Sequence, residues 1–138
     1  MAITNAISSA VSGAVASERR FATSASNVAN LRSVAAPSLQ GAPVDGDGSP
    51  LFRPARSVDQ SSATGGVRSV TLLVDPSSVQ EYDPSAADAD ENGLVNRPNV
   101  DPARETADQI AGQRQFEANL ATIRAADDLL RTTIDIKS

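Results

Sequence analysis

The sequence predicts a mainly α-helical protein with a small β element. Long N- and C-terminal helices pack as a coiled-coil-like pair, and a small β-containing middle domain lies between them. Three observations carry this reading. Apolar and small residues recur in steps of four and three at both ends of the 138-residue chain. Most of the 8 glycines and 8 prolines fall between those ends. Aromatic residues make up only 3%, so the chain holds few of the large side chains that usually fill a compact core.

The first segment, residues 1–33, reads as one helix from about Thr4 to Asn30. Ile3, Ile7, Ala10, Ala14, Ser17, Phe21, Ser24 and Val28 form a heptad seam. Asn30 is expected to end the helix in the left-handed conformation. Residues 1–30 carry only Glu18, Arg19 and Arg20 as charges. The adjacent arginines read as a solvated or salt-bridged face. Ala14-Val15-Ala16 looks like a signal cleavage site. However, a basic leader is missing and polar residues interrupt the apolar run, so no cleavage is expected.

The middle segment, residues 34–100, reads as loops and short strands. Pro37, Pro43, Gly46, Gly48 and Pro50 mark a flexible stretch. Leu51 to Val58 is a strand candidate that Pro54 confines to an edge or bulge. Val67 to Val74 is the strongest strand, and Val79 to Tyr82 a shorter one. Asn92-Gly93 signals a turn. Residues 31–100 hold nine acids against five bases.

The third segment, residues 101–138, opens with a helix start. Asp101 caps, Pro102 suits the first turn, and Glu105 favours the positive end of the helix dipole. Phe116, Leu120, Ile123, Asp127, Leu130 and Ile134 step by four and three. Ala107, Ala111, Ala118, Ala121, Ala125 and Leu129 add a second stripe, so the helix can pack against more than one neighbour. Asp127 on the seam has two readings. Either it faces a polar channel or an Arg partner, local pairing with Arg124 or Arg131 being the cheaper arrangement, or the seam is rotated toward Ala126.

The composition excludes several chemistries. With neither histidine nor cysteine, the chain has no imidazole base, no thiol nucleophile, no disulfide and no common zinc ligand. A net charge of −5 and a pI near 4.6 argue against nucleic acid as a partner. No stretch is apolar enough to span a membrane. Glu81, Asp83, Asp88, Asp90 and Glu91 sit in a loop with no sign of a closed pocket, so neither an enzyme nor a cofactor is expected. Asp88, Asp90 and Asn92 match half of a calcium loop, but Asn99 stands where the bidentate Glu belongs. The blander reading is an acidic turn leading into a hairpin.

The N-terminal helix is almost free of charge, whereas a solvated helix face normally carries charges. A two-helix hairpin leaves one face of each helix in water, so the terminal helices are expected to need neighbouring chains. The rival is a self-contained small bundle, against which the thin content of large side chains counts.

At this point particular runs resemble a known family. Ser24-Ala25-Ser26-Asn27-Val28-Ala29-Asn30 is similar to the "xxNNxANxxT" run that closes the first helix of flagellar axial proteins, with Ser26 to Asn30 matching and Ser33 near the usual Thr. Asp83-Pro84, then Gly93-Leu94-Val95, then Arg97-Pro98-Asn99-Val100-Asp101 resemble the "DP…GYV…PNVD" run of the rod members. Ile110-Ala111-Gly112-Gln113-Arg114-Gln115-Phe116-Glu117-Ala118-Asn119-Leu120 resembles their "MIxAxRxYxANV" helix. Length and motif position favour a proximal-rod member over the longer distal-rod and hook proteins.

The resemblance implies a structural subunit that polymerises helically with its own copies and other rod proteins to transmit torque. It implies export by the flagellar type III system without signal cleavage, and a place in the periplasmic rod of the basal body. The MS ring or export gate at the rod base are further neighbours it suggests. The terminal helices would form an inner tube and residues 34–100 an outer segment. Expected packing positions are Ile7, Val11, Phe21 and Val28, then Ile110, Phe116, Asn119, Leu120, Ile123, Leu130 and Ile134. Rivals are another axial subunit, and a calcium-responsive helical adaptor using Asp88, Asp90 and Asn92. A membrane-surface binder is disfavoured because the first helix lacks a basic polar face.

Overall fold

The computed structural model describes residues 2–35, 51–63 and 65–137. Its elements are α1 (Ala2–Ala29), β1 (Ala55–Ser61), β2 (Val67–Leu73), β3 (Ser78–Tyr82), β4 (Leu94–Pro98) and α2 (Pro102–Lys137). The strands make two two-stranded sheets, β1–β2 and β3–β4. The mainly helical class with a small β middle is therefore correct. The expected flexible stretch from Pro37 to Pro50 lies outside the described residues.

Chain contacts divide the fold into two units. The first contains Met1–Ala22, Ser57–Val70 and Ala107–Ser138; the second contains Thr23–Arg56 and Thr71–Thr106.

In the first unit α1 and α2 run in opposite directions. Gly13 lies against Asn119, and Ser17 and Phe21 lie against Gly112. The helices meet closely because the facing residues are small. A Cβ on Gly13 would stand only 2.8 Å from the Asn119 amide. Ala10, Ala14, Ala16, Ser17, Ser69, Gly112 and Ala126 are buried here among the described residues. Each buried methyl contributes only about 0.8 kcal/mol, so this core is thin. Arg20 pairs with Asp59 on β1 and donates to Gln115 Oε1 at 2.8 Å. Arg19 donates to the Ser69 carbonyl at 3.3 Å, which makes the arginine pair a bridged face. Both readings of Asp127 hold: it is bonded to Arg131 at 2.9 Å, and the neighbouring Ala126 is the buried residue.

In the second unit β3 and β4 pair antiparallel from Ser78↔Pro98 to Tyr82↔Leu94. Val95, Pro54 and Ser77 are its largest fully buried side chains. The backbone N–H of Ala35 donates to Asn96 O at 3.1 Å, and that of Phe52 to Val34 O at 3.3 Å. The loop between β3 and β4 is an acidic turn. Asp90 Oδ1 accepts from the N–H of Asn92 and of Leu94, at 2.8 and 2.9 Å. Gly93 adopts φ 76°, a conformation that side-chain-bearing residues rarely take.

Two local expectations are corrected. The strand expected at 51–58 begins only at Ala55 and runs to Ser61. Buried Pro54 precedes it, and its carbonyl accepts from Val74 N–H at 2.9 Å. Proline has no N–H for a ladder, so pairing starts after it. Asn30 does not turn left-handed: among the described residues only glycines have positive φ. Its side-chain Nδ2 instead donates to Ser26 O at 2.9 Å, satisfying one of the last helix carbonyls.

Candidate functional site

With no His or Cys to organise chemistry, the candidate site is a junction. It joins the end of α1, the start of β1 and the first turn of α2, all within the second unit. Helical phase turns Ser24 and Asn27, three residues apart, to the same side of α1. Both are 3% exposed.

Asn27 uses its whole amide there. Nδ2 donates to Ala55 O and to Glu105 Oε1, each at 2.7 Å, while Oδ1 accepts from Ala55 N–H at 3.1 Å. The amide thus treats residue 55 as a strand would treat its neighbour, with one donated and one accepted bond. A side chain that both donates and accepts is required. Ser24 Oγ donates to the Glu105 carbonyl at 2.9 Å.

Asp101 sets the start of α2. Its Oδ1 accepts from Ala103 N–H at 2.9 Å and from Arg104 N–H at 3.4 Å. Such a cap stabilises a helix by about 1 kcal/mol, and it fixes Glu105 one turn in, facing Asn27. Asn99 extends the hairpin: its N–H donates to Ser77 O at 3.0 Å and its Nδ2 to Pro76 O at 2.9 Å. Pro98 is buried, with Val100 half-buried beside it.

The structure therefore gathers much of the two short motifs in one unit. Ser26, Val28 and Ala29 are exposed on α1, and Asn30 is half-buried as the helix-end cap. The packing positions divide. Ile7, Phe116, Asn119, Leu120 and Ile123 are half-buried. Val11, Phe21, Val28, Ile110, Leu130 and Ile134 lie open, with Ile134 at 67%. Asp88, Asp90 and Asn92 share the hairpin loop, but Asp88 is bonded to Arg97 at 3.1 Å and Asp90 to backbone N–H groups. Among the described residues no group of three or more His, Cys, Asp or Glu is placed to hold a metal.

Sequence reasoning placed Ser24 in the motif run but missed Ala55 and Glu105 as partners of the motif. Glu105 stands out in sequence only as a first-turn acid. Ala55 carries no sequence signal at all, because its backbone does the bonding.

The junction thus ties the end of α1 to the first turn of α2. The model of the flagellar basal body rod FlgEFG protein C-terminal region matches residues 91–136. The flagellar basal-body rod protein FlgC of Aquifex aeolicus is 32% identical over 98% of this chain and 97% of its own. That of Yersinia enterocolitica is 32% identical over 99% and 98%. That of Agrobacterium fabrum reaches 47% over a shorter stretch, 42% of each chain. The chain belongs to the FlgC family of flagellar basal-body rod proteins. Among the described residues no helix is long and apolar enough to cross a membrane.

Proposed function

We propose that the chain is a non-enzymatic subunit of the proximal rod that polymerises helically with its own copies and with other rod proteins. Torque then passes through many repeated packed interfaces. In this reading residues 1–33 and 101–138 build an inner tube, and residues 34–100 form the outer segment. Export follows the flagellar type III route without signal cleavage, and the MS ring or export gate are neighbours at the rod base.

The observation that carries the reading is the apolar surface left open on both helices. Val11, Val15 and Phe21 on α1 are 45–47% exposed, and Leu129, Ile134 and Ile136 on α2 are 58–82% exposed. Residues 2–17 contain no charged side chain. Surface of this kind is stabilised by burial against another chain rather than by water. Heterologous contacts of this type generate a helical filament when the rotation does not close.

The test is the double substitution Leu130→Lys with Ile134→Lys. Both sites are already exposed, so the free subunit should keep its thermal stability within about 0.5 kcal/mol. Charges in a buried interface should reduce incorporation into isolated basal bodies, and swimming with it. Full incorporation of a folded double variant would refute the packing role of this face.

A further inference from the structure

We infer that Arg97 is a positioning residue, a latch through which one guanidinium fixes both the chain leaving α1 and the acidic hairpin loop. All of its partners lie in the second unit. Arg97 Nη1 donates to the Arg32 carbonyl at 3.1 Å. Nη1 and Nη2 together grip the two oxygens of Asp88 at 3.1 and 3.4 Å. The pair is largely shielded, with the Arg97 and Asp88 side chains 17% and 27% exposed. Two bonds therefore hold the strap 31–35 on β4: the Ala35 N–H to Asn96 O, and the Arg97 fork to Arg32 O.

The charge pattern gives the loop a need for this residue. Between Arg68 and Arg97 the sequence has no Lys or Arg, yet it holds Asp75, Glu81, Asp83, Asp88, Asp90 and Glu91. Asp83 is held below the usual carboxylate value chiefly by the Ser85 hydroxyl, with the Arg97 charge adding to the effect. Arg97 also stands in the wall of a groove of about 400 Å³, together with Leu31, Arg32, Val79, Pro98 and Val100. The latch thus sets the spacing between the strap and β4, and with it the shape of that groove. A planar fork with several N–H groups can serve a carboxylate and a carbonyl at once, whereas an ammonium acts as a point charge.

The test uses Arg97→Met and Arg97→Lys in the full chain, read by amide hydrogen exchange and carboxylate titration by NMR. Exchange at the Ala35 amide should speed up about tenfold in both variants, the scale of one lost charge-assisted bond. The Val95 amide serves as the control for an intact hairpin. Asp83 should titrate higher in Arg97→Met and stay in place in Arg97→Lys, which keeps the charge but loses the fork. If Arg97→Met unfolds the hairpin, Arg97→Lys alone decides. Unchanged Ala35 protection in a folded variant overturns the latch. So does an Ala35 amide that is unprotected in the wild-type chain.

Discussion

Replacing Asn27 by alanine tests the junction most directly. The substitution removes three hydrogen bonds at a side chain that is 3% exposed, two to the backbone of Ala55 and one to the Glu105 carboxylate. The lost neutral bonds contribute about 1 kcal/mol each and the bond to a charged acceptor about 1.5–3 kcal/mol. The alanine leaves room for water, which offsets part of the sum. The expected loss is about 2–4 kcal/mol, roughly a 30- to 1,000-fold change in the folded-to-unfolded ratio. Urea unfolding of the purified chain reads the total, and hydrogen exchange at the Ala55 amide reads the site. Asn27→Asp should be worse than alanine at neutral pH, because it sets a second carboxylate against Glu105. Glu105→Gln should recover part of that extra loss. A loss under about 0.5 kcal/mol, the range of an ordinary surface change, with Ala55 exchange unchanged, would refute the reasoning.

Two further outcomes follow from the helix end and the loop. Asn30→Leu removes the side-chain cap on Ser26 O. Helix-end exchange should speed up, and incorporation into rods, counted by electron microscopy of basal bodies, should fall; normal rods would remove the proposed role of the motif in assembly. Asp83 and Asp90 are held below the usual carboxylate value in the folded chain, chiefly by the Ser85 hydroxyl and the Leu94 N–H respectively. As pH falls the unfolded chain takes up these protons first. Their contribution to the loop's stability is therefore present above the usual carboxylate value and is lost as pH drops through the lower folded values. Asp90→Asn should flatten the acid-side loss seen by NMR at Gly93, and an unaltered profile would assign the effect to other groups.

The helices were legible because a periodic pattern over 28 and 36 residues leaves little choice. The Asp101 cap was legible too, since its partners are two and three residues away. The strand boundary at Pro54 was misplaced, because apolar content pointed to Leu51 while the missing N–H of proline decided the pairing. β4 carries no β-branched run apart from Val95, and its strand character comes from β3. Asn27 shows the limit more sharply. Its residue type advertised bonding capacity, but its partners lie 28 and 78 positions away. One of them is bare backbone, which has the same appearance at every position. Which apolar residues would stay uncovered was equally hidden, since Phe21 shares its seam with buried Ala14 and Ser17.

The bonds that close this fold also bear on when folding can finish. Asn27 and Ser24 meet Glu105 across 78 and 81 residues, and Arg20 meets Gln115 across 95. Contacts of such separation are made late, after the entropy of closing a long loop has been overcome. A chain emerging from either end lacks one partner of each pair until nearly all of it is free. The hairpins can form early, but neither the end of α1 nor its seat on α2 is fixed before then. Completion of the fold is thereby coupled to the meeting of α1 with α2.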